Sequence, residues 1–199
     1  VMAWQRATAT PVAILAGAGC LPVPFALWVR IVRPVFGPDL AGWDEPLAIL
    51  GTMTALCGGL LALSQSTVRG VTLPWLAAWQ GFVWLVASAG TAASAATAWE
   101  LSVLAGFCGA LWRTTVVDET GPLDMTRAEL IPPAQRWRAL ITTGLMLGLP
   151  LGLRGRLDWQ AAWAIGTQRP GPLFVAALGL FLAAWGTLWM LAGSFQLAN

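Results

Sequence analysis

The chemistry open to this chain is set by a small group of ionisable side chains. Among its 199 residues there are eleven basic and nine acidic ones, and histidine is absent. Every basic residue is an arginine; lysine and tyrosine are missing as well. The most unusual grouping is Asp158, with Arg154 one helical turn before it and Arg156 between them, inside the run Gly148-Leu-Pro-Leu-Gly-Leu-Arg-Gly-Arg-Leu-Asp158. Two readings stand side by side. Asp158 and Arg154 form an internal ion pair that merely tolerates burial, or Asp158 is a residual proton site, since ionisable groups in apolar surroundings are costly and mark ion paths. Arg156 either snorkels or lines water. Arg69 follows a polar Gln-Ser-Thr stretch. Glu100 stands beside Trp99 near an expected helix start, where an acid suits the dipole, so an interfacial position fits it better than a channel position.

The absences exclude more than these residues establish. Without imidazole there is no histidine ligand for zinc, haem or a chlorophyll magnesium, and no histidine-based catalytic dyad. Without lysine there is no amine whose pKa burial could tune for proton relay. Cys20, Cys57 and Cys108 are isolated in apolar stretches with no CxxC spacing, which suits helix packing rather than a metal or redox centre. No nucleophile–base pair, phosphate-cradling glycine loop or metal-ligand set is present, so the sequence implies no catalytic centre, no metal and no cofactor. A formal charge of +2 is too small to suggest a nucleic-acid partner.

These residues must be positioned by very apolar elements. The chain is 57% hydrophobic and 10% charged, with a mean hydropathy of +0.70, whereas a soluble domain carries about 25% charged residues. The expected fold is all-α: a polytopic transmembrane bundle of about six crossings with one or two broken helices, in contact with the lipid bilayer. The first crossing covers about residues 10–31 and holds Pro22 and Pro24 near its middle, where two lost backbone hydrogen bonds predict a break. It runs on to Arg30 without the short apolar core of a cleavable signal peptide. A turn with Pro34, Gly37, Pro38 and Asp39 follows. Further crossings are expected over about 46–64, behind the acids Asp44 and Glu45, then 74–94 after a short loop with Arg69 and Gly70, and 98–117.

A polar extramembrane loop is expected over 118–138. The fifth apolar stretch, 133–166, would span roughly 50 Å as one helix against a hydrocarbon core of about 30 Å. Gly148 and Pro150, with the charges that follow them, predict an interruption inside the bilayer. The last crossing covers about 172–195. Of the thirteen tryptophans, Trp28, Trp43, Trp75, Trp99, Trp112 and Trp189 fall near expected helix ends, as an interfacial belt requires, and Trp79, Trp84 and Trp163 fall deeper, as packing residues. Six crossings put both termini on one face with Arg6, Arg69, Arg113, Arg127, Arg136 and Arg138. Arg30, Arg33 and Arg169 fall on the other, which makes the termini cytoplasmic by the positive-inside rule.

Several stretches, in order, resemble the antiporter-like membrane subunits of respiratory complex I and of multisubunit cation/proton antiporters. WQRATATPVAIL, residues 4–15, is similar to a family segment in which a tryptophan and a polar stretch precede "APTPVSALL". TMTALCGGLLALSQSTVR, residues 52–69, is similar to "G-x-x-T-A-L-x-G-A-L-x-A-L-x-Q-x-D-x-K". GLPLGLRGRLDWQAAW, residues 148–163, is similar to "G-x-P-x-x-x-G-F-x-x-K-W/F". Family members are longer and contain two inverted five-helix repeats, each with a broken helix, so this chain resembles the end of the first repeat and all of the second.

The family conducts protons along buried lysines, histidines and acids, and the resemblance places most of those positions on inert residues here. One lysine falls at Leu21, Pro22 or Val23. The "H-x-x-x-H-x-x-x-K" helix falls on Ala98, Ser102 and Gly106. The loop lysine becomes Arg69, which keeps charge without releasing a proton, and the last lysine or glutamate becomes Asp158, which titrates. The resemblance implies a degenerate, structural or partly proton-conducting subunit in a bacterial inner or other energy-transducing membrane, thylakoid included. Its partners would be other membrane subunits, and it would be non-catalytic within an NAD(P)H- or ferredoxin:quinone oxidoreductase. An accessory or scaffold subunit of another respiratory or photosynthetic supercomplex is the alternative.

Overall fold

Side-chain size, more than polarity, decides which way two of the long helices of this protein turn. The computed structural model describes residues 22–37, 42–65, 68–116, 141, 144, 163 and 165–196. Its elements are α1 (Pro22–Leu27), a π-helical segment (Trp28–Val32), α2 (Arg33–Phe36), α3 (Asp44–Leu63), α4 (Val68–Ala87), α5 (Ala92–Val116) and α6 (Pro170–Gln196). No strand occurs among the described residues. Among the described residues, three stretches are long and apolar enough to cross a membrane: Asp44–Leu63, Gly70–Ala87 and Pro170–Trp189.

On α3 the buried residues are Ala48, Gly51, Thr52, Ala55, Gly58, Gly59 and Ala62, while Ile49, Leu50, Met53, Leu60 and Leu61 are exposed. A soluble helix would turn that pattern round, hiding its large apolar side chains from water. Small residues inside and large ones outside let backbones approach while the bulky side chains meet lipid. The spacing repeats every seven residues, Ala48, Ala55, Ala62 and Gly51, Gly58, which keeps one seam facing its neighbours.

The seam is filled backbone to backbone. A β-carbon placed on Gly51 would lie 2.7 Å from the Gly81 carbonyl oxygen of α4, and one on Gly58 would lie 2.7 Å from that of Pro74. On the other side, Gly59 of α3 meets Gly179 of α6 so closely that a β-carbon on either would strike the opposite backbone. Ala176, Ala183 and Thr187 continue the same buried stripe along α6. Thus α4 and α6 both pack on α3, α4 antiparallel to it and α6 parallel.

Larger side chains fill the space on the far side of α4. Trp75, Leu76, Trp79, Phe82, Val83, Leu85 and Val86 are buried, together with Ala98, Leu101 and Ala105 of α5 and Phe25 of α1. Phe25 and Trp28 each set an edge against Trp84, with ring centroids 5.5 and 5.7 Å apart, and Trp79 meets Phe82 in the same way at 5.8 Å. Two tryptophans depart from the sequence expectation. Trp75 is 1% exposed, a core residue rather than a belt residue, and Trp163 is 68% exposed rather than a packing residue.

The helix boundaries also differ in instructive ways. Arg69 and Gly70, expected in a loop, lie in α4, and Pro74, expected at its start, lies inside it. One missing donor does not end a helix whose other backbone bonds have no water to compete with. Pro34, expected in a turn, is helical too. Just ahead of it the chain widens to the π form, with the Arg33 amide donating to the Trp28 carbonyl five residues back. The wider turn relieves the pressure of the Pro34 ring on the Arg30 carbonyl. Pro22 and Pro24, where a break is expected, are both helical in α1, and the chain before Pro22 lies outside the described residues.

Candidate functional site

The interior face of α5 is where the family resemblance places titratable groups. Ala98, Ser102 and Gly106 recur every four residues and are all buried, alongside Leu101 and Ala105. Ala98 and Gly106 offer no side chain that exchanges protons, and the Ser102 hydroxyl donates to the Trp99 carbonyl of its own helix at 2.8 Å. The same habit holds elsewhere. Thr52 donates to the Ala48 carbonyl at 2.6 Å, Ser88 to Leu85 at 2.7 Å and Thr187 to Ala183 at 2.8 Å. Hydroxyls that bond back to the preceding turn satisfy themselves locally and do not link one helix to the next. No aspartate, glutamate or arginine is buried among the described residues.

Gln80 of α4 stands apart. Its side-chain oxygen is buried and accepts no hydrogen bond among the described residues. A donor-free amide oxygen in an apolar bundle is uncommon, and sequence reasoning missed it because a glutamine among tryptophans reads as ordinary packing.

The charged groups gather at the end where α2 finishes and α3, α5 and α6 begin. Arg33 donates through Nη2 to the Gly90 carbonyl in the α4–α5 turn. Arg169, just before α6, donates through Nη1 to the Asp44 carbonyl at 3.1 Å. Gly90 has φ +75°, a left-handed conformation that ends α4 and suits glycine. Immediately after it, the Thr91 amide donates to the Ser94 hydroxyl at 3.1 Å and the Ser94 amide to the Thr91 hydroxyl at 3.0 Å, a reciprocal cap that starts α5. The turn is therefore fixed on both sides, and Arg33 ties the first helical segment to it. Beside it a small cavity of about 120 Å³ includes Trp28, Arg33, Asp44 and Ala95 in its lining. A larger groove opens next to it, between the π-helical segment and α5, with Arg30, Arg33 and Trp99 among its walls.

The sequence-derived candidates fare unevenly. Glu100 is exposed and lies two turns inside α5, deeper than the helix start expected for it, because α5 begins at Ala92. Arg69 lies in the first turn of α4, with its side chain outside the described residues. Asp158, Arg154 and Arg156, the interruption at Gly148 and Pro150, and the polar loop over 118–138 all lie outside the described residues. The sequence grouping of Arg30, Arg33 and Arg169 on one side is matched in space, since Arg33 and Arg169 reach the same end of the bundle. Their separate targets, the Gly90 carbonyl for Arg33 and the Asp44 carbonyl for Arg169, are backbone atoms and carry no sequence signal. Among the described residues no three His, Cys, Asp or Glu side chains come together. No protein-family model matches this chain, and no curated protein matches it.

Proposed function

We propose that this protein is a degenerate antiporter-like membrane subunit of a complex I-type proton-translocating assembly, structural or only partly proton-conducting. The observation that carries the reading is the face of α5 with Ala98, Ser102 and Gly106. These positions point into the bundle, as a relay would require, yet bear residues that do not pass a proton near neutral pH. The self-contained hydroxyls of Thr52, Ser88, Ser102 and Thr187 favour the same conclusion, because a proton wire needs polar groups that link helix to helix. About six crossings, an interrupted fifth helix bearing Asp158, cytoplasmic termini and an energy-transducing membrane belong to this proposal.

The size-sorted helices suit a life among other membrane subunits. On α6, Phe174, Leu178, Phe181, Trp185 and Trp189 are exposed along one face, a surface that serves equally for lipid and for a neighbouring apolar helix. The test is affinity purification in mild detergent, followed by replacement of Asp158 with asparagine in the intact assembly. Co-purification with quinone-reducing subunits is expected. With assembly preserved, unchanged proton pumping in Asp158→Asn assigns a structural role, and a fall of tenfold or more, about 1.4 kcal/mol at the transition state, assigns partial conduction. Co-purification with pigment proteins alone would replace this reading by that of a scaffold in a photosynthetic supercomplex.

A further inference from the structure

The groove between the π-helical segment and α5 has a volume of about 430 Å³ and a graded lining. Arg33 and Arg30 stand toward the end of the bundle where α5 begins; Val29, Ala26, Ala95 and Ala96 form the apolar walls; Trp99 closes the inner part. The two strands of the groove run in opposite directions, so Ala26 lies two turns, about 10 Å, farther from that end than Arg33. Charge gives way to apolar surface over this distance.

The guanidinium groups are prepared rather than consumed. Arg30 is exposed and has no hydrogen bond or ion pair among the described residues. Arg33 is half-buried and spends one nitrogen on the Gly90 carbonyl, which fixes its fork and leaves its other N–H groups available. Asp44 borders the neighbouring cavity with Arg33 but forms no ion pair with it, and Glu100, next to Trp99 in sequence, does not line the groove. Two planar, permanently charged forks side by side match the oxygens of a phosphate.

We infer that this groove holds an anionic phospholipid, its phosphate on Arg30 and Arg33 and the start of an acyl chain along Ala26, Val29, Ala96 and Trp99. A free phosphate ion would have no use for an alanine-walled slot, whereas a lipid fills both halves. The small side chains at 26, 95 and 96 leave the width for a hydrocarbon chain. Trp99 stands where indole favours the boundary between headgroup and chain. The inference rests on the bundle lying in a bilayer and not on kinship with antiporter subunits.

The test is native mass spectrometry of the full chain released from micelles with phosphatidylglycerol or phosphatidylcholine, and with inorganic phosphate as competitor. Retention of phosphatidylglycerol is expected to exceed that of phosphatidylcholine, and Arg30→Gln to lower it roughly fivefold. Ala96→Leu is expected to abolish retention with both arginines in place, by filling the chain slot. Arg33→Gln also cuts the strap to Gly90, so Arg30→Gln and Ala96→Leu carry the decision. Equal retention of the two lipids, indifference to both substitutions, or displacement by millimolar phosphate would each overturn the inference. Resistance of the chain to alkaline extraction from membranes, measured in parallel, tests the bilayer premise separately; loss of that resistance overturns the premise and the inference with it.

Discussion

Gln80 shows how a single polar atom reports on its surroundings. Its side-chain oxygen is buried without a donor, and an unmade hydrogen bond costs more than a made one returns. Gln80→Met keeps length and flexibility while removing the orphaned acceptor, so it is expected to raise stability by about 1 kcal/mol. Thermal unfolding of the purified chain in micelles checks this, and a fall in stability would mean that the oxygen has a partner in the membrane, such as an ordered water. The buried hydroxyls behave differently. Because Thr52 and Thr187 are satisfied within their own helices, they add polarity to the interior at little cost and need nothing from a neighbour. At this scale the sequence was only partly legible. The lack of histidine and lysine is plain in the sequence, but which polar atoms find partners depends on distances that spacing alone does not encode.

At the scale of elements, the trio α3, α4 and α6 is held by close approach of backbones. Gly59→Leu on α3 would drive a side chain into Gly179 of α6 and is expected to cost roughly 3 kcal/mol, through overpacking that neither helix can relieve. Gly171→Leu on α6 is the control, since a β-carbon there meets nothing within 4 Å and the change should be near neutral. Detergent-titrated unfolding of the two variants measures the difference; equal effects would show that the contact does not hold the helices. Of the three, α3 and α6 were readable in advance because long apolar runs have few alternatives. Asp44–Leu63 and Pro170–Gln196 lie within two residues of the sequence expectation at each end. Besides the α4–α5 turn, which comes about six residues earlier than expected, the failures came at Pro34 and Pro74, which sequence rules treat as boundaries. One is accommodated by a π turn and the other by an otherwise intact helix. The interior face of α5 was not legible from its own residues, since Ala98, Ser102 and Gly106 have no chemistry to attract notice.

At the scale of the whole molecule, alternation of helix direction sorts the charges. Arg33 and Arg169 meet at the end where α3 begins, whereas Arg69 and Arg113 lie at the far ends of α4 and α5. Gly42, at the first end, is exposed and open, and Gln65 follows α3 at the other. With cytoplasmic termini, Gly42→Cys should react with a membrane-impermeant maleimide on intact cells, and Gln65→Cys only after permeabilisation. The reverse pattern would invert the proposed topology. The glycine seams bear on movement as well. Rods nested carbonyl against α-carbon have no lubricating layer of flexible side chains, so a slip of one residue along the seam would bring a β-carbon onto a neighbour's main chain. Such a trio travels as a keel, undivided. The freedom that remains lies with the opening helical segment, which meets the trio through the rings of Phe25 and Trp28 on Trp84 and is tied by Arg33 to the turn at Gly90.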